Sequence, residues 1–88
     1  MKAVVLSQHG NISQLKHVED FPDPKIKEGH VVIKVKSTSF NYHDVFTRQG
    51  MPGIKVPLPG IPGCDCAGVV AELADDVQGW GLGDRVLV

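Results

Sequence analysis

Residues 30–39, HVVIKVKSTS, carry the clearest β-strand pattern in this chain of 88 residues. Side chains alternate between the two faces of a strand, so Val31, Ile33 and Val35 fall on one face and the two lysines of the segment fall on the other. This alternation predicts a half-buried strand. The segments before and after it determine what kind of sheet it joins.

Further short strands are predicted on both sides. A second clear strand covers residues 64–73, where Gly68 marks a bulge or a close approach of two backbones. Shorter or weaker strand patterns, separated by turn residues, occupy residues 2–6, 15–20 and 85–88. Most of the chain therefore consists of short extended segments broken by glycine and proline.

One short helix is predicted over residues 41–49. Asn41 is a favourable N-cap, and Asp44 places a carboxylate in the first turn, where the helix dipole favours it. Gly50 is suited to end the helix. The following segment, residues 51–62, contains four prolines and is expected to be an irregular loop.

Many short strands, one short helix and no βαβ alternation predict a mainly β fold, namely a small, largely antiparallel, partly open β-barrel. No G-x-G-x-x-G motif follows a strand and opens a helix, so a dinucleotide-binding domain is not expected in these residues. The last strand pattern continues to Val88. We therefore expect the chain to be part of a longer protein.

Composition limits the function classes. The chain is 42% hydrophobic and 22% charged, with a net charge of −1, which is typical of a soluble domain and gives no field for nucleic acid or an anionic membrane. No apolar run approaches the roughly 20 residues of a membrane span. Two cysteines do not make a disulfide framework. A cytoplasmic location is the expectation, with no nucleic-acid or membrane partner.

Four blocks, in this order and spacing, resemble the medium-chain dehydrogenase/reductase superfamily, nearest its zinc-free quinone oxidoreductase-type members. The resemblance spans essentially the whole chain. The blocks are MKAVV at 1–5, EGHVVIKV at 28–35, NYHD at 41–44 with RQG at 48–50, and GCDCAGVV at 63–70 with GDRV at 83–86.

The resemblance implies that residues 1–88 are the GroES-like N-terminal part of the catalytic domain, a barrel that packs against a Rossmann domain absent from this chain. It implies an NAD(P)-dependent oxidoreductase, related to alcohol dehydrogenases and quinone oxidoreductases. Such an enzyme reduces a small carbonyl compound, quinone or activated alkene by hydride transfer. NADP or NAD is expected as the cofactor of the full-length protein. The 88 residues alone are expected to bind no cofactor and to be inactive.

The resemblance also assigns site residues. His43 and Asn41 are the expected catalytic residues, because an imidazole can act as a general acid near neutral pH and an amide can hydrogen-bond a carbonyl. Asn41 and Tyr42 are the expected cofactor contacts. Plainer roles stay open: an N-cap for Asn41, a solvated surface position for His43 and a core position for Tyr42. For Arg48 the expectation is an ion pair with Asp44.

No metal is expected at the catalytic position. Zinc-dependent members of the superfamily have a cysteine ligand where this chain has Asn41, and a His-Glu pair where it has Cys64 and Asp65. A catalytic zinc needs three protein ligands, and a neutral amide is a poor one.

Two alternatives to an enzyme remain open, and two further expectations concern self-association and Trp80. The chain could be a free-standing GroES-like interaction module without catalysis. It could be a small metal-binding protein in which Cys64 and Cys66 share one strand face and reach an ion together with His43, although small buried hydrophobes are the commoner role of such cysteines. Exposed apolar surface predicts self-association. Trp80, in a glycine-rich turn, is expected to plug a local core.

Overall fold

The computed structural model describes all residues from Met1 to Val88. It contains five strands, one α-helix and a single 3₁₀ turn at Ile12–Gln14. The elements are β1 (Ala3–Leu6), β2 (Leu15–Val18), β3 (Val31–Thr38), α1 (Tyr42–Gln49), β4 (Cys66–Leu73) and β5 (Arg85–Leu87).

The mainly β prediction with one short helix is confirmed. The strands form a two-stranded sheet, β1-β2, and a three-stranded sheet, β3-β4-β5. All pairings are antiparallel, and both sheets are open instead of closing into a barrel. The chain divides into two compact units, Met1–Pro22 with Phe40–Cys64 and Asp23–Ser39 with Asp65–Val88. Neither α1 nor the 3₁₀ turn has the length and the apolar run that a membrane-spanning helix requires.

The first unit is organised around β1. Val5 and Leu6 are its buried core residues, with Leu6 only 1% exposed. Leu6 exchanges two backbone hydrogen bonds with Gly60, at 2.8 and 3.0 Å, so the proline-rich loop is tied to the end of the strand. This bridge fixes the position of the otherwise irregular loop at Gly60.

The end of α1 is joined to the loop that follows β1. Gly50, with a φ of +89°, caps the helix and donates its N–H to the Phe46 carbonyl at 2.8 Å. The Gly10 N–H donates to the Arg48 carbonyl at 2.9 Å, and the Arg48 guanidinium donates to the Gly10 carbonyl at 2.6 Å. The predicted Arg48–Asp44 ion pair is therefore wrong, because the backbone pairing brings a carbonyl acceptor within reach of Arg48.

The second unit is built on the pairing of β3 with β4. Two irregularities interrupt the register, between Val32 and Ile33 and between Val35 and Ser37. They break the simple alternation read from the sequence, and Val35 is 55% exposed. Val70 on β4 is the buried core residue of this unit, at 2% exposure.

Gly68 lies opposite Val35, beside one of these irregularities. A Cβ at this position would lie 2.3 Å from the Lys34 carbonyl oxygen and 2.8 Å from Cγ2 of Ile33. The predicted close approach at Gly68 is thus confirmed. Only a residue without a side chain permits this spacing of the two strands.

The expectation that Cys64 and Cys66 share one strand face is wrong. The strand begins at Cys66, so Cys64 is outside it and the two cysteines do not share a strand face. Before the strand, Asp65 bonds to side chains: its carbonyl accepts from Thr38 Oγ1 at 2.7 Å and its carboxylate from Ser39 Oγ at 2.9 Å.

Trp80 does not plug a core, since it is 53% exposed. The turn that contains it is closed by Asp84, whose carboxylate accepts the Gly81 N–H at 2.8 Å. Gly79 and Gly83 have φ values of +85° and +86°, a backbone conformation that glycine adopts without strain. Backbone geometry and one carboxylate therefore hold this turn.

Candidate functional site

The first turn of α1 is fixed by a reciprocal capping box. The side-chain oxygen of Asn41 accepts the His43 N–H at 3.0 Å, and Asp44 Oδ2 accepts the Asn41 N–H at 3.0 Å. The predicted N-cap and the predicted role of Asp44 in the first turn are confirmed. These bonds satisfy backbone donors that a helix start leaves unpaired, so the turn holds its side chains in defined positions.

Three side chains with metal-binding or acid–base chemistry meet beside this turn. The ligand atoms of His43, Asp44 and Cys64 all lie within 4.8 Å of one another. His43 and Cys64 are exposed, while Asp44 is half-buried. Oδ1 of Asp44 is fully buried and has no hydrogen-bond partner. The cluster therefore contains a carboxylate oxygen without a compensating donor.

An aromatic surface lies next to this cluster. Tyr42 is 80% exposed, which rules out the core position considered from the sequence, and its ring stacks on Phe46 with centroids 6.4 Å apart. Phe40 is fully exposed. Together with Asn41 and Val45, Phe40 and Tyr42 line a shallow apolar hollow.

The structure thus brings together the three residues selected from the sequence, Asn41, Tyr42 and His43, on one helical turn. Whether they act in catalysis or bind a cofactor stays a prediction. One alternative from the sequence grouped Cys64 and Cys66 with His43, and it missed Asp44 as the third member of the cluster. Cys66 was chosen because the proline-rich segment between α1 and β4 has no periodicity from which its path could be read.

Asn41 does not fit the zinc ligand set of the zinc-dependent members. Its side-chain oxygen is already the acceptor for the His43 N–H. Its remaining amide nitrogen is a donor and carries no lone pair suited to a metal. That no zinc is held through this position stays a prediction.

Comparison with known proteins identifies the family. The model of the alcohol dehydrogenase GroES-like domain matches residues 27–88, which is more than half of the chain. The chain belongs to this family. The predicted membership in the medium-chain dehydrogenase/reductase superfamily is thereby confirmed. The exposed first turn of α1 lies within the matched residues of this GroES-like domain.

Similar proteins agree with this assignment but are much longer. A synaptic vesicle membrane protein VAT-1 homolog-like protein from Mus musculus is 36% identical over 88 residues, covering 99% of this chain and 21% of its own length. The chloroplastic NADPH-dependent alkenal/one oxidoreductase of Arabidopsis thaliana is 40% identical over 87 residues, covering 98% of this chain and 22% of its own length.

Among solved structures, the quinone oxidoreductase from Thermus thermophilus, also determined in complex with NADPH, superimposes with a TM-score of 0.69 and 38% identity. That alignment covers 100% of this chain and 30% of the other. The present chain spans about a fifth of the length of the curated relatives. Two of these three similar proteins are named as oxidoreductases that use or bind NADPH.

Proposed function

We propose that this GroES-like domain is the N-terminal, substrate-side part of an NAD(P)-dependent oxidoreductase. The enzyme transfers a hydride between a nicotinamide and a small carbonyl compound, quinone or activated alkene. The observation that carries the proposal is the family match over residues 27–88, joined to relatives named for alkenal and quinone reduction. We place the enzyme in the cytoplasm.

The exposed first turn of α1 is the part of the domain that we assign to substrate and cofactor. The cap occupies the side-chain oxygen of Asn41, which leaves its exposed amide NH₂ as a donor for a carbonyl oxygen or a nicotinamide amide. Tyr42 offers an exposed ring and a phenol beside it. An amide and a phenol on a rigid helical turn are suited to orient a flat, polar-edged molecule.

The 88 residues alone carry no turnover under this proposal, since no G-x-G-x-x-G motif among them follows a strand and opens a helix. The test is an assay of NADPH and NADH oxidation with an α,β-unsaturated aldehyde, a quinone and a simple aldehyde. It compares the 88-residue chain with the polypeptide that includes any coding sequence after Val88. We expect turnover only from the longer polypeptide. If the longer polypeptide oxidises neither NADPH nor NADH with any of these substrates, the proposal is contradicted.

Asn41→Asp is the informative variant in the longer polypeptide. Aspartate caps helices about as well as asparagine, so the fold is retained, but the NH₂ donor is replaced by a carboxylate. We expect at least a tenfold loss in kcat/KM. Asn11→Asp, at the cap of the 3₁₀ turn, is the matched control and is expected to keep full activity.

A further inference from the structure

We propose that Arg48 is a positioning residue: together with His9 it fixes α1 in the orientation that the first turn of the helix needs for substrate and cofactor. This inference rests on the proposed function, because that turn carries Asn41 and Tyr42. His9, Arg48 and all of α1 belong to the same compact unit of the chain. Arg48 lies in the last turn of α1, so it acts on the site through the helix and not by touching the substrate.

The helix α1 lacks the features that usually fix a helix on its domain. It has only 8 residues, and isolated helices shorter than about 12 residues are marginal in water. Most helices in proteins are stabilised by the burial of an apolar face, but no residue of α1 is fully buried. Polar contacts with the rest of its unit must therefore determine how the helix is oriented.

Such contacts are concentrated at the last turn of α1. The last carbonyls of a helix have no partner within the helix, and here the loop that follows β1 supplies donors to two of them. Nδ1 of His9 lies 2.9 Å from the Thr47 carbonyl oxygen, and it donates because a carbonyl only accepts. The Gly10 N–H donates to the Arg48 carbonyl at 2.9 Å. We call these four residues the clamp.

The Arg48 side chain makes the clamp rigid. Its guanidinium donates to the Gly10 carbonyl at 2.6 Å, and this bond is partly buried. Hydrogen bonds with a charged donor are roughly twice as strong as neutral ones. Gly10 is thus bound to Arg48 through both its N–H and its carbonyl. A single bond would let the helix pivot, whereas two bonds between the same pair of residues, with the His9 bond beside them, oppose rotation.

The length of the helix converts a small rotation at the clamp into a displacement at the site. Arg48 follows Tyr42 by six residues, which is about 9 Å along the helix axis. A tilt of about 6° at the clamp moves the first turn by about 1 Å, and a misplacement of that size can lower a reaction rate about 100-fold. Loss of the Arg48 bond is therefore expected to reduce turnover although Asn41 and Tyr42 are unchanged.

The orientation of α1 is measured in the 88-residue chain by N–H residual dipolar couplings, which does not depend on turnover. Arg48→Met keeps the apolar stem and removes the donor, while Arg48→Lys keeps a charged donor. We expect the α1 couplings of Arg48→Met to no longer fit the parent orientation relative to β1 and β2, and those of Arg48→Lys to fit it. His9→Ala is the milder second variant if Arg48→Met does not fold, and His9→Asn keeps a donor for its control. Parent-like α1 couplings in Arg48→Met, or in His9→Ala where it takes that place, overturn the proposal.

Kinetics of the longer polypeptide separate positioning from stability. Fluorescence titration with NADPH counts the binding sites per chain, and kcat is expressed per site. We expect Arg48→Met to keep the parent's number of sites and to lose at least about tenfold in kcat per site, with most of it restored in Arg48→Lys. Fewer sites with an unchanged kcat per site would show a merely structural role and overturn the proposal. Arg85→Met, at an exposed arginine of β5, is the matched control and should behave as the parent. A parent without turnover would contradict the proposed function, while the dipolar couplings would still decide whether Arg48 orients α1.

Discussion

Replacing Gly68 by alanine tests whether the close approach of β3 and β4 requires a residue without a side chain. The new Cβ would lie 2.3 Å from the Lys34 carbonyl oxygen and 3.0 Å from its carbonyl carbon. Both atoms belong to the backbone of β3, so no side-chain rotation relieves the clash. The two strands must separate locally, which weakens the hydrogen bonds between them.

The expected loss follows from this geometry. Overpacking typically costs about 1–3 kcal/mol, and a clash with backbone belongs at the upper end of that range. In a domain of this size, each kcal/mol lowers the melting temperature by about 4–8 °C. We therefore expect Gly68→Ala to melt about 12–24 °C below the parent chain. Because φ at Gly68 is not in the left-handed region, the whole effect is steric.

Gly81→Ala is the matched control. Its added Cβ would meet nothing closer than Asp84 oxygens at 3.8 Å, and its φ is likewise outside the left-handed region. The same substitution should therefore be neutral, or stabilising by up to about 1 kcal/mol. Thermal unfolding followed by far-ultraviolet circular dichroism compares the variants. A Gly68→Ala midpoint equal to that of the parent, or an equal loss in Gly81→Ala, would refute the reasoning.

Three further predictions concern the cap, the core and the exposed surface. Asn41→Ala should lower stability by about 1 kcal/mol, while Asn41→Asp should not, and thermal unfolding distinguishes them. Leu6→Ala should lower the free energy of unfolding by about 2–5 kcal/mol, measured by urea unfolding, because Leu6 is only 1% exposed. Val4→Ala is the control: Val4 is 44% exposed, so the change should be less than about 1 kcal/mol. The 88-residue chain should form dimers or larger species in light scattering, since Phe40 and Tyr42 are 103% and 80% exposed; a monomer at high concentration would contradict this.

Local patterns in the sequence predicted local structure well. The boundaries of β3 and α1 agree with the prediction to within one residue at each end. Alternation and capping act over a few neighbouring residues, so they can be read without the rest of the fold. The close approach at Gly68 was likewise visible as a glycine inside a strand pattern.

Contacts between distant segments could not be predicted in the same way. Arg48 prefers the Gly10 carbonyl to the nearby Asp44 because a backbone pairing 38 residues apart in sequence brings that acceptor to it. That Asp44, and not Cys66, lies with His43 and Cys64 depends on the path of the proline-rich loop. Neither contact leaves a periodic signal, so the prediction defaulted to sequence neighbours.

Hydride transfer from a nicotinamide is the chemistry that the proposed function requires, and isotope labelling measures it directly. The polypeptide that includes any coding sequence after Val88 is incubated with an α,β-unsaturated aldehyde and NADPH, or NADH, dideuterated at the nicotinamide C4. We predict a reduced product that carries one deuterium bonded to carbon, detected by mass spectrometry. A reduced product without deuterium, or no reduction with either cofactor, would contradict the assignment of this domain to an NAD(P)-dependent oxidoreductase.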